Sequence, residues 1–462
     1  MKSLRIPCTG IAPVHFFKAL GGVAASVMLA AAPFGSSAAE AKAAPVKVAA
    51  ASPRMPFGQG VGDFYRMRRD ALLWLAPGAG TAAPQLIEML KGSAVDGLDP
   101  TVYRTDELDA ALRSVAGSTD RAALLRADRM LSDAFARYVR DLRRNPDIGI
   151  IYIDSSLKPV SPSPFAALIE AASAPSLADY VARAGWANPL YGELRRALTT
   201  RNFATPHEEQ TLKLNLERAR ALPAGKGRYI LVNAAEQRLF TFENGRQLDA
   251  MNVVVGKPKN PTPMMSAYMR FAALNPYWYV PPDLAAERIA PKVLNQGLKY
   301  LDELGHQVMT DWTADATVID PRTIDWKAVA AGKTEVRIRQ LPGPHNSMGR
   351  MKFMFPNEEG IYLHDNPERE LFSEASRLYS GGCVRLEDAA RLGQWLFGKP
   401  LVWEGAGTEE QVALPDPVPV YITYLTAKPG ASGIAYFDDI YGRDAARLAQ
   451  LGLTATEAVA GR

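Results

Sequence analysis

The sequence predicts an α+β protein with a mainly helical N-terminal part and a β-rich C-terminal part. From Phe64 to about Leu222, apolar residues recur at the spacing of an amphipathic helix. After Leu222 the period shortens to two, which is the spacing of half-buried strands. The chain has 462 residues, of which 47% are hydrophobic, so two or more domains with their own cores are expected.

The first 39 residues have the features of a secretory signal. Basic side chains precede an apolar run over residues 19–32, and small residues around Ala39 form a cleavage site. The run has about 14 residues, fewer than the ~20 that span a bilayer. We therefore expect an exported chain without a stable membrane span, with an uncleaved anchor as the alternative. Residues 40–60, rich in Ala, Pro and Lys, predict a flexible linker.

Four segments in the N-terminal part have a clear helical period. Helices are predicted over residues 64–74, 84–95, 106–115 and 122–143. The Asp-Gly-Leu-Asp-Pro stretch at 96–100 contains the Gly and Pro that typically follow a helix. Together these segments predict a helical domain over residues 61–222.

The C-terminal part predicts a sheet. Strands are predicted over residues 229–232, 238–242, 248–255, 268–274, 336–340, 352–355, 361–364 and 418–425. Asn244-Gly245 between two of them is a strong type I′ hairpin signal. We expect a β-rich domain over residues 227–406, followed over 407–462 by a strand and tail that pack on it.

A helical pattern interrupts this sheet at about residues 281–340. Helices are expected over residues 284–290 and 292–301. Long insertions in compact domains are often functional, so a lid over a site is one interpretation and a structural excursion is the other. Tyr277, Trp278 and Tyr279 stand where the insertion begins, and they line a groove or pack in a core.

Cys383 is the candidate nucleophile. It is the only cysteine after the predicted signal, and an exported protein retains a lone thiol at a chemical cost. A thiol becomes nucleophilic as the thiolate, which a nearby imidazole generates and stabilises. His364 ends a predicted apolar strand and is favoured as that base. Its rival, His345, lies in a loop rich in turn residues.

The residues around Cys383 suit acyl chemistry. Gly381 and Gly382 allow close approach of the backbone, so the Gly382 amide is a candidate oxyanion donor. Arg385 either stabilises the thiolate or holds a substrate carboxylate. Residues 384–396 have helical spacing, and a helix starting there would favour the thiolate. A small buried hydrophobic cysteine is the alternative interpretation of Cys383.

Composition points to neither nucleic acid nor metal. The chain has 53 basic and 49 acidic residues, and no stripe of Lys and Arg carries interleaved aromatics. His364 has no partner at i+4, and no Cys/His cluster has ligand spacing, so no metal or cofactor is predicted.

His364, fifteen intervening residues and then Ser-Gly-Gly-Cys-Val-Arg at 380–385 resemble the catalytic signature of the L,D-transpeptidases (YkuD-like). Residues 343–365 and the Asp-Asp-Ile-Tyr-Gly stretch at 438–442 are similar to the large Gram-negative periplasmic branch of that family. Residues 96–100 and 131–135 look like its helical scaffold domain. Many members carry His where Gly381 stands and Asn where Arg385 stands.

The resemblance implies a periplasmic, cell-wall-associated enzyme that acts on peptidoglycan stem peptides. Cys383 would attack the bond between a diamino acid and a terminal D-alanine, with His364 as proton acceptor and donor. The acyl group would pass to the side-chain amine of a second stem, giving a 3→3 crosslink. The resemblance also implies that residues 281–340 form a capping subdomain. Ser380, Gly381, Arg385 and Tyr279 are the expected substrate-binding residues, and carbapenems are expected to acylate Cys383.

Several alternatives use the same residues. A Cys/His peptidoglycan hydrolase would release the acyl group to water, and relatives that attach stems to envelope proteins, exchange the D-amino acid or form other crosslinks would look alike. A non-catalytic envelope scaffold predicts that Cys383→Ser leaves function intact. The group that orients His364 is not evident from the sequence, and Ser380 is a candidate for a supporting hydrogen bond only.

Overall fold

The computed structural model describes residues 59–313, 315–403, 405 and 409–452. The predicted signal and the part of the predicted linker before residue 59 lie outside the described residues. The α-helices are α1 Val61–Met67, α2 Ala82–Lys91, α3 Thr105–Ser114, α4 Arg121–Leu142, α5 Pro164–Ala172, α6 Leu177–Ala182, α7 Pro189–Thr199, α8 Pro206–Ala219, α9 Pro282–Leu284, α10 Ala290–Gln296, α11 Lys299–Glu303, α12 Trp326–Ala330, α13 Ala389–Phe397 and α14 Arg443–Gln450.

The helical part is built around α4, whose buried face includes Leu131, Phe135 and Tyr138. The predicted helix over 64–74 is wrong in its second half, since α1 ends at Met67. The cause is the buried Asp128 of α4, whose carboxylate accepts the backbone N–H groups of residues 73–75, each at 2.8 Å. These bonds replace the next helical turn.

The strands confirm the predicted change of period. They are β1 Ile151–Tyr152, β2 Arg228–Asn233, β3 Arg238–Glu243, β4 Arg246–Gly256, β5 Met265–Leu274, β6 Trp278–Val280, β7 His306–Met309, β8 Val318–Ile319, β9 Arg337–Gln340, β10 Met351–Met354, β11 Leu363–His364, β12 Leu378–Ser380, β13 Val384–Leu386, β14 Glu410–Thr423, β15 Ala427–Gly430 and β16 Gly433–Tyr436.

The main sheet closes on itself. Its strands run β5-β10-β11-β13-β4-β3-β2-β14, and β14 pairs back with β5. Apolar side chains from these strands and from α13 form its core. The hairpin between β3 and β4 is confirmed, because Asn244 and Gly245 both have positive φ, 50° and 78°, as a type I′ turn requires.

The sheet also draws in residues from outside the predicted β-rich domain. β1, which lies within the predicted helical segment, pairs in parallel with β5. At the other end of the chain, the β15–β16 hairpin and α14 contact the helical part. The α+β fold class is confirmed, and the domain boundaries stay predictions.

The insertion forms its own small unit. β6, β9, β7 and β8 make a separate four-stranded sheet. Apolar residues of this sheet and of α10 and α12 form a core distinct from that of the main sheet. No helix among the described residues has the length and apolar character to cross a membrane.

Candidate active site

The strand register brings Cys383 and His364 onto one face of the sheet. β11 and β13 are parallel, with His364 opposite Arg385. The N–H of Val384, the residue before Arg385, donates to the carbonyl of Tyr362 at 3.1 Å. Because side chains alternate between faces, Tyr362 and His364 point to the same side as Cys383 and Arg385. All four line one cleft.

The carbonyl of Asp365 orients His364, which answers the question that the sequence left open. His364 is 2% exposed, and its Nδ1 lies 2.6 Å from that carbonyl oxygen. A carbonyl only accepts, so Nδ1 carries the proton and Nε2 keeps its lone pair. Burial, helped by the charges of Arg385 and Lys352, lowers the pKa of His364 to about 3. The imidazole is therefore a neutral base at neutral pH.

The hydroxyl of Ser380 closes the turn that carries the thiol. Its Oγ donates to the carbonyl of Cys383 at 2.6 Å and accepts the N–H of Gly382 at 3.0 Å. Gly382 is absent from the residues that line the cleft, whereas Gly381 is among them. The N–H of Gly382, which the sequence suggested as an oxyanion donor, is thus engaged by Ser380 here, and its role toward an oxyanion stays a prediction.

Thr262 also bonds to this turn, a role that no sequence motif indicated. Its buried Oγ1 donates to the carbonyl of Gly382 at 2.8 Å and accepts the N–H of Gly256 at 2.9 Å. Tyr441 donates to the carbonyl of Gly256 at 2.7 Å, and Arg443 donates to that of Thr262 at 2.8 Å. The C-terminal Asp-Asp-Ile-Tyr-Gly stretch therefore supports the turn.

Gly382 adopts a backbone conformation that suits glycine alone. Its φ is 128°, and a Cβ there would approach Ile361 Cδ1 at 3.3 Å. The turn continues directly to the half-buried Cys383, whose Sγ lies 3.5 Å from the carbonyl oxygen of Gly360.

The helix predicted to start after Cys383 begins later. Residues Val384–Leu386 are strand β13, which pairs with both β11 and β4. Helix α13 starts at Ala389, and Asp388 caps it by accepting the N–H of Arg391 at 2.9 Å. Sheet pairing overrides the local helical period, and the helix N-terminus does not adjoin the thiol.

The inserted unit that contains strands β6 to β9 (residues 278–340), called the cap below, contributes residues to the lining of the cleft. Tyr277, Trp278 and Tyr279 all line it, and Trp278 also packs into the core of the cap, so both sequence interpretations apply to Trp278. The ring of Tyr279 meets that of Trp312 edge to face at 5.2 Å. Leu284 lies against the turn formed by residues 380–383, called the nucleophile turn below. A Cβ built on Gly381 would lie 3.7 Å from Leu284 Cδ1.

Arg385 lines the cleft, and His345 is not among its lining residues. The Arg385 side chain is 13% exposed and pairs with Glu368 at 2.8 Å. His345 is exposed and absent from the lining residues. Among the described residues, no group of His, Cys, Asp and Glu side chains is arranged to hold a metal ion.

Comparison with known proteins places these features in a family. A family model described as the L,D-transpeptidase catalytic domain (YkuD) matches residues 227–420, and a scaffold-domain model matches residues 59–198. A Haemophilus influenzae protein, whose name assigns it provisionally to the L,D-transpeptidases, is 29% identical over 280 residues. That match covers 58% of this chain and 55% of the relative, so the chain spans about half of the relative's length.

Solved structures give weaker likenesses. An L,D-transpeptidase from Mycobacterium smegmatis is 15% identical, with a TM-score of 0.20, covering 43% of this chain and 59% of that one. A Bdellovibrio bacteriovorus protein, Bd1075, is 14% identical, with a TM-score of 0.19, covering 50% and 56%. At these TM-scores, the family assignment rests on the sequence matches.

Removing the hydroxyl of Thr262 is expected to loosen the nucleophile turn. Thr262→Val keeps the shape but leaves the N–H of Gly256 and the carbonyl of Gly382 without this partner, which costs about 1–3 kcal/mol of unfolding free energy. Thr262→Ser retains the hydroxyl and should lose less unfolding free energy than Thr262→Val. Urea unfolding measures both variants, and equal stability of the two would contradict the role of the hydroxyl.

Acid is expected to destabilise the protein through His364. Its pKa is about 3 when folded, against an ordinary value of 6.5, so between these pH values the unfolded state binds a proton that the folded state does not. Stability therefore falls as pH drops below 6.5. Relative to His364→Gln, wild-type protein should lose about 1.4 kcal/mol of unfolding free energy per pH unit in this window. His207→Gln, at an exposed position, is the control. Parallel pH profiles for wild type and His364→Gln would contradict the assignment.

Proposed function

The chain belongs, through residues 227–420, to the L,D-transpeptidase family, and we propose that it crosslinks peptidoglycan stem peptides. The donor is a tetrapeptide stem, cleaved between its diamino acid and the terminal D-alanine. The acceptor is the side-chain amine of a neighbouring stem, giving a 3→3 link. The observation that carries this proposal is the placement of Cys383 and a neutral His364 on one face of a capped cleft.

The acylation step follows from the His364 tautomer. Nε2, which keeps its lone pair, accepts the thiol proton of Cys383, and the thiolate attacks the donor carbonyl. The tetrahedral intermediate collapses as the carbon–nitrogen bond to D-alanine breaks. The leaving amine takes the proton from His364, so the imidazole returns to its neutral form and a thioester remains on Cys383.

The transfer step reverses this proton movement. The acceptor amine attacks the thioester carbonyl, and His364 removes a proton from the attacking nitrogen. When the carbon–sulfur bond breaks, the proton passes to the sulfur and regenerates the thiol.

The cap favours transfer to an amine over transfer to water. The residues that the cap contributes to the cleft lining include Tyr279, Leu284 and Trp312, which supply apolar surface. A thioester in such a cleft is shielded from bulk water while a stem peptide occupies the groove.

Residues 1–39 support export, so we place the reaction in the periplasm, next to the cell wall.

Product analysis tests the proposed reaction. Wild-type protein, incubated with disaccharide tetrapeptides that contain diaminopimelate, should yield a dimer that has lost one D-alanine. Cys383→Ala should yield none, because no other thiol lies in the predicted mature chain. Mass spectrometry distinguishes the outcomes. Tripeptide without dimer would replace the transpeptidase with a hydrolase, and unimpaired function of Cys383→Ser would support a non-catalytic scaffold.

Carbapenems are expected to acylate the same thiol. Their strained lactam carbonyl accepts attack by Cys383, and ring opening leaves the drug attached as a thioester without loss of atoms. The intact mass of the protein should therefore rise by one drug mass, and the mass of Cys383→Ala should not change. A wild-type mass that stays constant would count against Cys383 as the nucleophile.

A further inference from the structure

Arg288 stands on the cap above the nucleophile turn. It lies in a single π-helical turn, Ala285–Ile289, between α9 and α10. Such turns are rare in proteins, and those that occur are often found at functional sites. Leu284, which covers Gly381, precedes Arg288 by four residues, a spacing that places both side chains on the same side of the helix. Arg288 accordingly lines the cleft together with Cys383 and Arg385.

In the part of the chain that the structure describes, the cleft lining includes one carboxylate, that of Asp283, and it forms no ion pair with Arg288. Its neighbour Glu287 is bound by Lys259 at 2.5 Å. Lys352, deeper in the cleft, is paired with Glu409 at 2.9 Å. The ion pairs found among the described residues do not include Arg288.

Arg385 adds a second, incompletely neutralised cation. Its partner Glu368 is 57% exposed, so water screens this pair. Both guanidinium groups belong to residues that line the cleft, and burial, together with repulsion from Arg288, lowers the pKa of Arg385. Two like charges at one cleft favour an anionic ligand between them.

We propose that Arg288 and Arg385 together bind a carboxylate of the donor stem and so position its carbonyl at Cys383. This inference rests on the proposed function and specifies the substrate as a stem with a free carboxylate. Guanidinium groups suit that partner because their planar N–H donors match both carboxylate oxygens. Two carboxylates qualify chemically, one at the terminal D-alanine and one on the side chain of the diamino acid.

Three donor stems separate these two carboxylates. One is unmodified, one carries D-alaninamide at its end, and one is amidated on the side-chain carboxylate of the diamino acid. Release of the terminal residue, measured by mass spectrometry, gives kcat/KM for wild type and Arg288→Gln. We expect Arg288→Gln to lose about 10- to 100-fold on the unmodified stem. Amidation of the carboxylate that the two arginines bind should make kcat/KM equal for wild type and Arg288→Gln. Amidation of the other carboxylate should leave the difference in kcat/KM unchanged.

Two further variants separate recognition from folding. Arg288→Lys keeps the charge without the planar donors and should recover part of the activity. Lys292→Gln changes an exposed cation on α10 that does not line the cleft, and should match wild type on every stem. An equal loss for Arg288→Gln on all three stems, or no loss on any, would overturn the proposal.

Failure of the proposed reaction has a different signature. Wild-type protein would then release nothing from any stem, whichever residue stands at position 288. Equilibrium binding of the same stems to Cys383→Ala, with and without Arg288→Gln, still tests recognition in that case. Weaker binding on removal of Arg288, confined to stems with the relevant carboxylate free, supports the carboxylate site, and equal binding overturns it.

Discussion

The parallel pairing of β11 with β13 is the constraint on which the candidate site depends. It sets His364 opposite Arg385, and Cys383 lies two residues before Arg385, so base and nucleophile come from adjacent chain segments and lie on one face. A shift of one residue in this register would turn His364 away from the thiol. Ser380 and Thr262 both act on the turn that leads into β13, and they hold the thiol where this register requires it.

Burial gives this arrangement its chemical character. The same desolvation that lowers the pKa of His364 strengthens every charge interaction in the cleft. Lys352 is opposite His364 across the β10–β11 pair, and its charge adds to that of Arg385 in opposing protonation of the imidazole. A cationic cleft thus keeps the base neutral and at the same time favours an anionic peptide. One electrostatic environment accounts for both properties.

Local sequence signals predicted the elements that depend on local chemistry. The Asn244-Gly245 turn was recognisable because its cue is two adjacent residues, and the Gly-flanked Cys383 and the strand-end His364 were each recognisable from their immediate neighbours. The errors have distant causes: Asp128 ends α1 from a helix some fifty residues away, and β-pairing replaces the helix expected after Cys383. Thr262 and Arg288 carried no local signal, since their roles arise only when separate segments meet.

The C-terminal segment explains how the helical part bears on the site. Arg218 of α8 forms a buried ion pair with Asp444 at 2.6 Å, and Arg443 beside it lies over the rings of Tyr424 and Tyr441. Arg443 and Tyr441 in turn bond to the segment around Thr262 that supports the nucleophile turn. A buried ion pair contributes little net stability against an apolar alternative, but removing one partner is costly because the other charge is left buried and unpaired. The helical part is therefore linked, through polar contacts and the main chain at residues 443 and 444, to the carbonyl of Gly382 in the turn before Cys383.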